Sequence, residues 1–79
     1  MRLLVVEDEP RLARALQRGL TADGFTVDVA RDGVTGLARA REGQYDAVLL
    51  DVMLPGLSGY EVVKRLRAAD VWTPVMMVS

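Results

Sequence analysis

Ala47-Val48-Leu49-Leu50-Asp51-Val52-Met53-Leu54-Pro55-Gly56 decides the reading of this chain. An apolar run stops at a carboxylate, and a Pro-Gly turn follows. Short apolar runs bounded by turn signals suit strands buried on both faces. Asp51 then stands where the strand leaves the sheet, and in open parallel α/β sheets ligands bind at the carboxyl ends of the strands. A second run, Leu3-Leu4-Val5-Val6, ends the same way, in Glu7-Asp8-Glu9. With the two strands side by side, carboxylates converge at one edge. Like charges at close range raise one another's pKa, so the cluster calls for a hard cation with oxygen ligands, such as Mg2+.

The remaining composition narrows the chemistry. A chain of 79 residues holds at most one domain, and 51% hydrophobic residues are enough to give it a core. A net charge of −1 gives no basic surface for nucleic acid on the chain itself. With no Cys and no His, disulfides, Cys/His zinc sites and Cys- or His-based nucleophiles are excluded. Carboxylates, hydroxyls and one lysine, Lys64, remain. The four-residue apolar run after Met1-Arg2 is too short for a signal-peptide core, and no stretch approaches the about 18 apolar residues of a membrane span. These features, with the lack of Cys, predict a cytoplasmic protein.

Strand signals alternate with helix signals along the whole chain. Arg2–Val6 reads as a first strand. Pro10 suits the first turn of a helix, with Asp8 as N-cap and Glu9 favouring the positive end of its dipole. Leu12, Ala13, Leu16 and Leu20 recur at helical spacing, Arg11, Arg14 and Arg18 take the wet face, and Gly24 ends the helix. Phe25, Val27 and Val29 alternate with Thr26 and Asp28, a half-exposed strand. Val34, Leu37, Ala38 and Arg41 mark a weaker helix, and Ala47–Leu50 is the third strand. Ser58, with Glu61 three residues on, has the spacing of a capping box. In the helix that follows, Val62, Val63, Leu66 and Ala69 face inward, and Lys64, Arg65 and Arg67 face water. Trp72 is placed in packing at the mouth of the last strand, Val75–Val78. The β-α-β-α-β-α-β rhythm with short connections predicts a flavodoxin-like, doubly wound parallel sheet of order 2-1-3-4, helices on both faces.

The acidic pair after strand one, Asp51 at the end of strand three and the Met53-Leu54-Pro55-Gly56-x-x-Gly59 pattern resemble the receiver domain of two-component response regulators. The resemblance runs through the whole chain. The wording of Val6–Glu9 and Asp51–Gly56 is most similar to the subclass with a winged-helix DNA-binding domain. The resemblance implies that Asp51 is the phosphoacceptor, taking a phosphoryl group from a phosphohistidine on a sensor histidine kinase. It implies Mg2+ bound by Asp8 directly, by Glu7 through water, by Asp51 and by the backbone carbonyl of Met53. Pro55 and Gly56 would shape the loop, Gly59 would let the third helix begin close to the site, and Ser79 would be the switch hydroxyl. It also implies a homodimer of the parent protein and DNA contact only through an output domain. In the family pattern residues 1–79 are the N-terminal part of a receiver. A fourth helix, a fifth strand ending in a site Lys and a fifth helix are expected beyond them. Lys64 does not stand in for that Lys.

Other readings of the same residues remain. Asp51 alone could cap a turn, and Glu7-Asp8-Glu9 could serve only the dipole of the first helix. The arginines of the first helix could be solvated surface or a kinase-facing patch. The chain could also be a non-phosphorylated interaction module that keeps the fold for dimerisation. A phosphatase with an Asp nucleophile is a third class. Such enzymes commonly carry a second Asp two residues on, where this chain has Met53.

Overall fold

The computed structural model describes residues 1–78. Its elements are β1 (Arg2–Val6), α1 (Pro10–Ala22), β2 (Thr26–Ala30), α2 (Gly33–Glu42), β3 (Ala47–Asp51), α3 (Gly59–Ala68) and β4 (Val75–Val78). The strands form one parallel sheet of order β2-β1-β3-β4, as the alternation predicts. Leu4 pairs with Asp28 on one side and Val48 on the other, and Val6 pairs with Ala30 and Leu50.

The core follows from this register. Leu4, Val6, Val48 and Leu50 point to one face and are closed over by Ala40 of α2 with Val62 and Leu66 of α3. Each large side chain buried there contributes about 1.5–3 kcal/mol. Leu3 and Val5 point the other way and are also buried, under α1, which lies against β1 and β2. β1 is therefore covered on both faces. In β3, by contrast, Val48 and Leu50 are buried while Ala47 and Leu49 are half-buried. Two-sided burial is thus complete for the Leu3–Val6 run and partial for the Ala47–Leu50 run.

Five local expectations change. Ala69 does not face inward; it is the exposed C-cap residue of α3. The N-cap of α1 is Glu9, whose carboxylate accepts the Leu12 N–H at 2.7 Å, and Asp8 is left free for the edge. Leu12 is 44% exposed, because the first turn of α1 starts at the carboxyl edge, where the sheet ends. Arg67 does not face water; it is half-buried and donates to the carbonyls of Val71 and Thr73 at 2.8 and 2.9 Å. Trp72 is 68% exposed rather than packed. Its ring lies over the Arg67 guanidinium and its Nε1 donates to Asp70, which holds a left-handed φ of 64°. The connection from α3 to β4 is thus tied from the helix side, and that leaves Trp72 outside.

The amino end of α3 follows its sequence signal, with Ser58 Oγ accepting the Glu61 N–H at 3.2 Å. At the start of α2, Asp32 is the cap and accepts the Thr35 N–H at 2.7 Å, a role not read from the sequence. Gly24 closes α1 at φ 96°.

Candidate functional site

One rung past Val6–Leu50 the parallel register sets Glu7 beside Asp51. The Glu7 N–H donates to the Ala30 carbonyl at 3.0 Å, which carries the β1–β2 ladder to this residue. Asp8 follows it, between the end of the ladder and the Glu9 cap. Carboxylate oxygens of Glu7, Asp8 and Asp51 all lie within 4.8 Å of one another. The three acids marked in the sequence are therefore one cluster, on the carboxyl ends of neighbouring strands.

Their surroundings differ. Glu7 is 5% exposed, Asp51 is half-buried and Asp8 is exposed. Burial pushes the Glu7 carboxyl above its ordinary range, and the nearby Asp51 and Asp8 add to the rise. The Glu9 N–H, donating to Glu7 Oε2 at 3.0 Å, opposes it in part. A buried carboxylate held among other carboxylates is the electrostatic state that a bound cation relieves. The donor set is oxygen only, which fits a hard divalent ion. The cluster could hold a metal ion.

The loop after β3 is shaped by its glycines. Gly56 takes φ 81°, open to glycine at little strain. At Gly59 a Cβ would overlap the Asp51 carbonyl oxygen, so only glycine lets α3 begin this close to the phosphoacceptor candidate. The Gly59 N–H donates to Val52 O at 2.9 Å, and the Val52 N–H to Val78 O at 3.2 Å. The Met53 N–H donates to Asp51 Oδ1 at 3.2 Å, while its side chain is 81% exposed. Beside the acids opens a cleft of about 470 Å³, reached from Asp8 and walled by Met53, Leu54, Pro55 and Tyr60. Ser79 lies outside the described residues.

Two features of this edge were not foreseen from the sequence. The Arg31 guanidinium donates to the Asp8 carbonyl at 3.2 Å. Tyr60 stands exposed at the cleft mouth. Among the described residues no helix is long and apolar enough to cross a membrane.

Comparison with known proteins agrees with this geometry. Residues 3–79 match the response regulator receiver domain family. The transcriptional regulatory protein TcrA of Mycobacterium tuberculosis is 54% identical over 79 residues, all of this chain and 31% of TcrA. The chain thus spans about a third of the length of the curated relatives it matches. Among solved structures, the receiver domain of sensor histidine kinase PA1611 from Pseudomonas aeruginosa superposes with a TM-score of 0.93 at 30% identity. The match covers 99% of this chain and 66% of that one, and PA1611 holds a magnesium ion in its active-site cleft. The response regulator TrrA complex with histidine kinase ThkA gives a TM-score of 0.88 at 36% identity, covering 96% of this chain and 66% of that one.

Proposed function

Since the chain belongs to the response regulator receiver domain family, we propose that Asp51 accepts a phosphoryl group from a phosphohistidine of a sensor histidine kinase. The observation that carries this reading is the approach of three carboxylates within 4.8 Å on the carboxyl edge, with Asp51 reachable from solvent. An Asp51 oxygen attacks phosphorus, the P–N bond breaks, and the imidazole nitrogen leaves with the electron pair. An aspartyl phosphate results. The Met53 N–H donates to Oδ1 and so fixes the orientation of the Asp51 carboxylate.

The cation that fits is Mg2+, which Asp8, Asp51, Glu7 and the Met53 carbonyl would hold. When bound, it offsets the charge that gathers on the phosphoryl oxygens. The rest is positioning by the chain itself. Glu9 N–H orients Glu7, Gly59 brings α3 against Asp51, and Gly56 turns the loop after β3 at φ 81°. Ser79, next after β4, is assigned the switch hydroxyl. The chain is read as the N-terminal part of the receiver, a signalling phosphoacceptor in a cytoplasmic transcription regulator. Output is then through a winged-helix DNA-binding domain and a homodimer of the parent protein. The transcriptional regulators among the relatives support that placement.

Intact mass after incubation with Mg2+ and acetyl phosphate tests the reading. One added phosphoryl group is expected, lost in Asp51→Ala and in chelator. No addition to the full-length protein returns the chain to the class of non-phosphorylated interaction modules.

A further inference from the structure

Arg31 belongs to no part of the site that the sequence marks, yet it reaches it. Ala30, the last residue of β2, accepts the Glu7 N–H at 3.0 Å, so the ladder fixes Glu7. The Glu9 side chain accepts from Leu12, so the helix fixes Glu9. Asp8 lies between, in neither element. Its carbonyl receives the Arg31 guanidinium at 3.2 Å, across from the turn between β2 and α2. Among the described residues, Arg31 is the one basic side chain hydrogen-bonded to this edge.

We propose that Arg31 is a positioning residue for the divalent-cation site: it holds the main chain at Asp8 so that the Asp8 carboxylate meets those of Glu7 and Asp51. This rests on the Mg2+ reading above. Two effects of Arg31 oppose each other. Its charge disfavours a second cation, but the side chain is exposed, and water and salt screen that repulsion. Its hydrogen bond fixes the backbone of a ligand residue, and outer partners of that kind tune metal affinity. Positioning outweighs repulsion, so removing Arg31 weakens binding. A bare charge would do the reverse, and the sign of the change decides between them.

The experiment is calorimetric titration of Mg2+ into the full-length protein, wild type, R31A and R31K, with thermal melting in chelator alongside. R31A is expected to raise the Mg2+ Kd about tenfold, the low end for an outer partner of a metal ligand, and to leave the metal-free melting temperature in place. R31K, which can donate to the same carbonyl, is expected to recover part of the loss. An R31A Kd equal to or tighter than wild type overturns the assignment, as does R31K without recovery. If wild type binds no Mg2+ at all, the carboxylate reading falls with it. If wild type binds and R31A binds equally, only the Arg31 assignment falls.

Discussion

The two ends of this one sheet handle their acids in opposite ways. At the amino end, Asp28 accepts from Tyr45 Oη at 2.7 Å and from Arg2 at 2.9 Å, and Asp46 accepts the Arg2 N–H at 2.7 Å. Arg2 also lies over the Tyr45 ring. Each acid there has its donors in β1 and the approach to β3. At the carboxyl end, Glu7, Asp8 and Asp51 face one another. One backbone N–H each to Glu7 and Asp51 is all the described residues give them. The first end works as a clasp. The second gives up stability to keep oxygens available, as functional sites commonly do.

The largest effect tests whether the open end depends on close packing. Gly59→Ala forces a methyl onto the Asp51 carbonyl and the Val52 backbone, neither of which is the flexible tip of a side chain. A loss of about 3 kcal/mol in urea unfolding is expected, the upper range for overpacking, together with loss of phosphoryl labelling. Full stability in this variant would show that α3 can withdraw from β3 at little cost.

Next comes Glu7→Gln. Its carboxyl is raised in the folded state, so folding is favoured most below its ordinary value of 4.5, and that contribution is lost as pH rises through the folded value. At pH 7 the substitution removes a destabilising charge and keeps an acceptor for the Glu9 N–H. Metal-free protein is expected to gain stability, because burial and the neighbouring carboxylates disfavour the ionised Glu7, while Mg2+ affinity falls. Thermal melts with and without chelator check both signs. A loss of stability in chelator would mean that the carboxylate is already compensated.

That open end was legible in the sequence because its parts are local. Leu3–Val6 and Ala47–Leu50 are continuous apolar runs, each ending in an acid, and strand order then sets Glu7 beside Asp51. The clasp was not read, because Arg2, Asp28 and Tyr45 are unremarkable apart from one another and meet only through register. Leu4 pairs with Asp28, and Arg2 precedes Leu4 by two on the same face. The signal was present once order 2-1-3 was in hand, had the polar residues been carried through it as the apolar ones were. The Asp8 cap failed for a subtler reason. Asp is the favoured cap by residue type, but α1 begins at Pro10, so position makes Glu9 the capping residue and its longer side chain reaches the Leu12 N–H. Arg67 was read from helical spacing alone, which is blind to carbonyls in the following loop.

Tyr45→Phe tests the clasp directly. It removes the donor to Asp28 and keeps the ring under Arg2. A loss of about 1 kcal/mol is expected, the net value of a half-buried hydrogen bond. Phosphoryl labelling should be unchanged, since the clasp lies at the other end of the strands. Labelling that falls with Tyr45→Phe would show that the two ends are coupled through β1.

The smallest effect is also the one that separates the ends by sign. Tyr45 first, then Arg2, hold the Asp28 carboxyl below its ordinary 3.8. Stability from a lowered carboxyl is present above 3.8 and is lost as pH falls through the folded value. Stability from the raised Glu7 runs the other way, lost as pH rises through its folded value above 4.5. In chelator, melts from pH 7 downward should therefore show the gap between wild type and Glu7→Gln closing as pH approaches 4.5. Over the same range the gap between wild type and Asp28→Asn should hold, closing only below 3.8. The changes are expected to be a few tenths of a kcal/mol at the clasp, where Arg2 is half exposed to screening water. Parallel curves for the two variants would remove the distinction, because the ends would then respond to protons as one field and not as two sites.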